Sequence, residues 1–162
     1  VNHFFSFFSK FFLFFFDKQF IISPRMQAFF FRISNERIFI FMDFYKRASI
    51  VCQNIPYGTV VTYGQIALLC QKPKNSRQVG YALRTGKLGE NIPAHRILNA
   101  SGILSGATSF ETYDQQKLLL ENEGITVIRT DKGWKTDLKK YQWKTTFDDA
   151  LYFENLFKQA NI

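Results

Sequence analysis

The sequence predicts an α+β fold, mostly helical, containing a helix-turn-helix and a small β-hairpin. Three observations predict it. Apolar residues recur at helical spacing in several segments after residue 42. Two of those segments are short and are joined only by the polar stretch Gln71-Lys72-Pro73-Lys74-Asn75, which is the connection of a helix-turn-helix. Further on, the runs Ile125–Arg129 and Gly133–Thr136 flank Thr130-Asp131-Lys132, a hairpin signal.

Asp43 can cap a helix through about Gln53 that places Phe44, Ala48, Val51 and Cys52 on one side. Ile55-Pro56-Tyr57-Gly58 breaks it, because Pro and Gly together mark a turn. Val60-Val61-Thr62 is a short extended lead-in. Thr62 then caps a helix over Gly64–Cys70, with Ile66, Ala67, Leu69 and Cys70 available for packing. Asn75 or Ser76 caps the second helix, to about Arg84, with Val79, Ala82 and Leu83 inward. Thr85–Asn91 is a loop, Ile92–Asn99 is extended or irregular, and Ala100-Ser101-Gly102 turns the chain. Tyr113–Glu123 is a helix carrying Leu118-Leu119-Leu120, and Gly124 stops it. Phe147–Gln159 is a last helix with Phe147, Leu151, Glu154 and Phe157 at helical spacing. No internal repeat is present.

Residues 1–41 differ from the rest. They hold 15 of the 20 phenylalanines, in runs such as Phe11-Phe12-Leu13-Phe14-Phe15-Phe16. Apolar residues on every face leave neither a helical nor a strand period. Phe4 to Phe16 is 13 residues long and contains Ser6, Ser9 and Lys10. That is short of the ~20 residues of a membrane span, and no basic region precedes it as a secretory signal requires. The expected division is a Phe-rich low-complexity segment over 1–41 outside the working protein, a domain over 42–145, and a helical extension over 146–162. Peptides from residues 27–41 in mass spectra of the native protein are the observation that excludes a working start near Met42.

The 162 residues suit one domain with appendages. Net charge is +8, and +5 remains from residue 42 onward, so the basic excess is not confined to the first segment. This fits a polyanionic partner without requiring one. Cys52 and Cys70 form no CxxC, and only His3 and His95 could join them. No zinc site or disulfide framework is recognisable, and no metal or other cofactor is expected. The two thiols read as reduced and partly buried. A Cys70–His95 pair formed through space has no support in the sequence.

The chemistry concentrates at Ile92-Pro93-Ala94-His95-Arg96-Ile97. A nucleophile would make sense between Pro93 and His95, yet Ala94 stands there, and a methyl cannot attack. Upstream lie Ile55-Pro56-Tyr57-Gly58, Thr62-Tyr63-Gly64 and Ser76-Arg77-Gln78-Val79-Gly80; downstream lie Leu119 through Glu123-Gly124. These landmarks, in this order, resemble the DNA-binding domain of the O6-alkylguanine-DNA alkyltransferases, the methylated-DNA--protein-cysteine methyltransferase family. A cysteine stands in that family where Ala94 stands here, so the chain resembles the alkyltransferase-like members, which bind alkylated DNA without repairing it. The resemblance covers roughly Asp43 to Trp143. The family's N-terminal ribonuclease-like domain is not recognisable, and Lys140-Tyr141-Gln142-Trp143-Lys144 looks like the ending of fungal members.

The resemblance implies a winged helix-turn-helix-like DNA-binding domain that enters the minor groove and rotates a damaged guanine into a pocket. Tyr63 takes the role of turning the nucleotide by its 3′ phosphate. Arg77 takes the role of the finger that fills the gap and stacks on the neighbouring bases. Ser76, Gly80, Ala82 and Arg84 complete the DNA-binding set, Gly80 and Ala82 by being small enough for close approach. Tyr63, Pro93, Ala94, His95 and Ile97 form the lesion pocket, with the Ala94 and Ile97 carbonyls available to the exocyclic amine of guanine. Glu123 takes the place of the glutamate that orients the histidine. Two departures stand out: many alkyltransferase-like proteins carry Trp at the position of Ala94, and Thr85-Gly86-Lys87 stands where active enzymes have an Asn. The implied protein is a monomer that is not an enzyme. Its partners are duplex DNA containing O6-alkylguanine and nucleotide excision repair proteins, it meets no membrane, and it is nuclear in a eukaryote and otherwise cytoplasmic. The alternatives are a helix-turn-helix regulator reading bases through Arg77, Gln78 and Tyr81, an alkyltransferase with an unrecognised nucleophile, and a domain with no DNA role.

Overall fold

The structure, a computed structural model, describes residues 43–104 and 114–162. The expectations for residues 1–41, for Met42 and for a helix start at Tyr113 lie outside those residues. Helix α1 covers 43–53 and buries Phe44, Ala48, Val51 and Cys52, the stripe that its periodicity predicts. It ends at the Ile55–Gly58 turn, where Gly58 adopts φ +72°, a left-handed backbone that favours glycine.

Strand β1 is only Val61–Thr62 and pairs in parallel with β2, Ile97–Leu98, in the register Val61↔Ile97 and Thr62↔Leu98. Val60, Val61 and Leu98 are fully buried, so this short pair lies inside the protein. Helix α2, Tyr63–Leu69, follows without a break. The Thr62 side chain caps it by accepting from the Gln65 N–H at 3.2 Å. Helix α3, Ser76–Arg84, packs against α2 through Val79 and Ala82. The connection expected to be plain loop contains a 3₁₀ turn over Pro73–Asn75 that runs straight into α3. Asn75 occupies the N-cap of α3 but makes no capping hydrogen bond, so the expected cap chemistry is absent there. The 3₁₀ turn delivers the chain in near-helical geometry instead.

The Ile92–Asn99 stretch, expected to be extended or irregular, divides into a 3₁₀ turn over Ala94–Arg96 and then β2. Helix α4, Gln115–Asn122, ends at Gly124 with φ +78°. Of its leucine run only Leu120 is buried; Leu118 is 54% exposed, and the inward face is completed by Gln116. Strands β3, Val127–Thr130, and β4, Gly133–Thr136, form the expected antiparallel hairpin, with the first strand starting two residues later and ending one residue later than expected. Gly102, at φ +76°, fits tightly beneath it: a Cβ there would lie 2.5 Å from the Thr136 carbonyl oxygen.

A short helix α5, Leu138–Tyr141, was not foreseen; Asp137 caps it. Val60 then exchanges backbone hydrogen bonds with Tyr141 and Trp143. Helix α6, Phe147–Gln159, has the expected bounds and begins with a capping box between Thr146 and Asp149. Its buried face differs from the expected one. Phe153 and Phe157 enter the core, while Phe147 is 80% exposed and Leu151 is 45% exposed. Trp143, edge-on to Phe153 at 6.0 Å, selects that face. One cluster joins α1, α2, α3, β2 and α6, and a second joins Val60, Leu98, Leu120, Ile125 and Val127 beneath the hairpin.

Candidate nucleic-acid interface

Helix α3 presents Arg77 and Arg84 to solvent, seven residues apart and therefore on one face, about 10 Å apart along the axis. Lys72 and Lys74, on the connection before α3, are also exposed. Ser76 is half-buried in its first turn. Gly80 has a neighbour that the sequence did not reveal. A Cβ there would sit 3.7 Å from the Tyr63 ring, an ordinary packing distance, so the Tyr63 ring lies directly beside this position on α3. Tyr63 at the start of α2 and Gly80 on α3 are thus brought together, as neighbours within the helix pair.

Ala82 is a correction. It has no exposed surface and faces the core with Val79, so its small size serves helix packing and not approach to a groove wall. Ile97 is corrected likewise: its side chain is fully buried in β2 and lines no surface pocket. Its carbonyl accepts from the buried Gln116 amide at 3.4 Å, while the Ala94 carbonyl accepts from the Ile97 N–H. Two residues named for base reading are engaged elsewhere. Gln78 accepts from the Tyr45 hydroxyl at 3.1 Å, and the Tyr81 ring lies beneath the Lys87 ammonium at 5.2 Å.

Pro93, Ala94 and His95 are half-buried on the 3₁₀ turn before β2. Tyr63 follows β1, whereas Ala94 precedes β2. In a parallel pair these are opposite ends of the two strands. His95 Nε2 lies 2.7 Å from Glu123 Oε1, and since a carboxylate only accepts, the ring donates. Sequence reasoning paired these two, but it missed the dominant partner of the glutamate. Arg96 donates to both Glu123 oxygens, from Nε at 3.0 and 2.9 Å and from Nη2 at 2.7 Å. The Gly58 N–H adds a fourth donor group at 3.0 Å. Burial pushes the Glu123 carboxyl upward, but the hydrogen bonds from Arg96, His95 and Gly58 outweigh it and hold the group below the usual carboxylate range. The signal for this was in the sequence: an arginine directly after the histidine can reach the same carboxylate.

Neither cysteine is placed to replace the missing nucleophile. Cys52 and Cys70 are both buried in the core, and burial raises both thiols, Cys70 to about 12. Among the described residues, no group of three His, Cys, Asp or Glu side chains could hold a metal ion. Among the same residues, no helix is long and apolar enough to cross a membrane.

Comparison with known proteins agrees with this geometry. Alkyltransferase-like protein 1 of Schizosaccharomyces pombe is 36% identical over 103 residues, covering 63% of this chain and 95% of that protein. Its crystal structure in complex with damaged DNA containing O6-carboxymethylguanine superposes with a TM-score of 0.56. A DNA base-flipping protein of Vibrio parahaemolyticus is 38% identical over 94 residues, covering 58% of this chain and 89% of the relative. A methylated-DNA--protein-cysteine methyltransferase of Methanosarcina acetivorans is 38% identical over 82 residues, covering 51% of each. The relatives therefore include proteins named for base flipping and others named for methyl transfer. Residues 43–125 match the DNA-binding domain of 6-O-methylguanine DNA methyltransferase, and the chain belongs to that family.

Proposed function

We propose that this protein binds duplex DNA carrying an O6-alkylated guanine, turns the damaged base out of the stack and holds it without removing the alkyl group. The observation that carries the reading is Ala94 on an otherwise retained turn: His95 and Glu123 remain paired at 2.7 Å around a position that cannot accept an alkyl group. The relatives named for base flipping, and the S. pombe structure with damaged DNA, support the same reading.

In this reading α3 lies along the minor groove, with Arg77 filling the space of the extruded base and stacking on its neighbours. Arg84 and the Ser76 end of α3 hold the backbone. Tyr63, seated against Gly80, presses on the nucleotide to turn it. Unstacking costs a few kcal/mol, which these contacts offset. Pro93, Ala94 and His95 receive the base. The methyl of Ala94 leaves more room than cysteine or tryptophan would, so bulky O6-alkyl groups are accepted along with methyl. The held complex presents the lesion to nucleotide excision repair proteins, in the nucleus of a eukaryote or the cytoplasm of a prokaryote.

The test is a titration of a duplex with one O6-methylguanine beside the unmodified duplex, followed by digestion of the bound DNA and assay of the base. Tight selective binding with the methyl group retained is the expected result. Loss of the methyl group overturns the non-catalytic reading. Equal binding to both duplexes overturns the lesion reading and favours a general helix-turn-helix DNA binder.

A further inference from the structure

The Ala94–Arg96 turn is held from two sides by one helix. Gln116, in the first turn of α4, is 1% exposed, and its amide donates to the carbonyls of His95 at 3.2 Å and Ile97 at 3.4 Å. Glu123, which caps the other end of α4, takes the side chains of His95 and Arg96. Gln116 and Glu123 are seven residues apart, two helical turns, and so share a face. Arg96 reaches beyond the carboxylate. Its Nη1 donates to the Ile55 carbonyl at 2.8 Å, and its guanidinium lies 5.5 Å from the centre of the Tyr57 ring. The Tyr57 hydroxyl in turn donates to the Asn122 carbonyl at 3.0 Å, and the Gly58 N–H donates to Glu123. The Ile55–Gly58 loop, the lesion turn and the end of α4 therefore meet on one guanidinium.

We infer that Arg96 and Gln116 are positioning residues that preset the Ala94–Arg96 turn in the free protein, so that the receiving surface does not have to be ordered when a base arrives. Neither side chain needs to touch DNA for this. Binding energy then goes to the flipped base instead of to freezing a loop, and the effect falls on lesion preference and not on general DNA affinity. Lysine cannot replace Arg96, because one ammonium cannot span both carboxylate oxygens and the Ile55 carbonyl at once. The DNA arm of the test rests on the function proposed above; the free-protein arm does not.

The experiment uses the full chain and the variants Arg96→Lys, which keeps the charge, and Gln116→Met, which keeps the volume. Hydrogen exchange in the absence of DNA reads the Arg96 and Ile97 amides, which close the turn on Pro93 and Ala94. Anisotropy titrations read the O6-methylguanine and undamaged duplexes. The expected result is faster exchange at those two amides in both variants and a loss of about tenfold in lesion preference, with undamaged affinity within about twofold of the parent. Unchanged exchange overturns the inference. So does an equal loss on both duplexes, or a lesion preference equal to the parent's. A parent that shows no lesion preference sinks the proposed function instead, and the exchange rates then decide the positioning alone.

Discussion

Glu123→Gln removes one charge from a site with three donors around it besides the neighbouring ring. The glutamate side chain is 7% exposed and its Arg96 partner 15%, so water cannot readily replace the lost interaction. Arg96 would keep the Ile55 carbonyl and the Tyr57 ring but lose a bidentate carboxylate. An amide also turns an NH₂ group toward a set of donors. Removing one partner of a buried pair costs about 3–5 kcal/mol; partial exposure of Arg96 and its remaining acceptor lower the expectation to about 2–3 kcal/mol at pH 7. Urea unfolding of parent and variant reads this directly as a shift in midpoint at constant slope. The pH dependence provides a second check. The folded carboxyl titrates below its ordinary value, so its stabilisation is full above about pH 4.5 and is lost as pH falls through the folded value. The gap between parent and variant should therefore narrow in acid. A difference under about 0.5 kcal/mol at pH 7, or a gap that persists unchanged at pH 3, would refute the view that this ion pair fastens the turn.

Gly102→Ala forces a Cβ to within 2.5 Å of the Thr136 carbonyl from a left-handed backbone, and should cost about 2–4 kcal/mol, measured by thermal melting. Arg77→Ala and Tyr63→Ala should each weaken binding to the O6-methylguanine duplex by about 1–3 kcal/mol, exposed Arg77 without lowering the melting temperature and Tyr63, which packs on the core, with some loss of stability; unchanged affinity in both defeats the base-flipping roles. Ala94→Cys should not restore full methyl transfer, because Thr85-Gly86-Lys87 replaces the supporting Asn; rapid transfer to that cysteine, read by mass spectrometry, contradicts this. Cys52 and Cys70 should resist thiol reagents in the native protein at pH 8 and react on unfolding, since burial raises both thiols.

The helices were legible because each carries a local signal. Thr62 caps α2, Gly124 stops α4, and Phe44, Ala48, Val51 and Cys52 declare the inner face of α1. What the sequence hid is non-local. A pair of two-residue strands has no periodicity to detect, so the pairing of Val61 with Ile97 could not be read from either segment. The buried face of α6 was only partly legible because Phe147 and Leu151 compete with Phe153 on pattern alone, and only contact with Trp143 decides between them. At the site, motif order supplied the roles proposed for Tyr63, Arg77 and the Ala94–His95 turn. Burial then removed Ala82 and Ile97 from the surface set, and side-chain geometry added Arg96 and Gln116. Small and β-branched residues look the same in a motif whether they face a ligand or a core.

The parallel pairing of β1 with β2 encloses the whole helix-turn-helix between its two halves. Val61 and Ile97 meet only after the chain has closed a loop that contains α2, the 3₁₀ turn and α3. The helix pair can form early from contacts close in sequence, whereas the strand pair waits for that closure. Substitutions within the α2–α3 contact should therefore slow refolding, and those at Ile97 or Leu98 should mainly hasten unfolding. The turn bearing Ala94 is thus expected to take shape late, and a chain caught before that step would carry Arg77 and Arg84 on a formed helix but lack the turn proposed to receive a base.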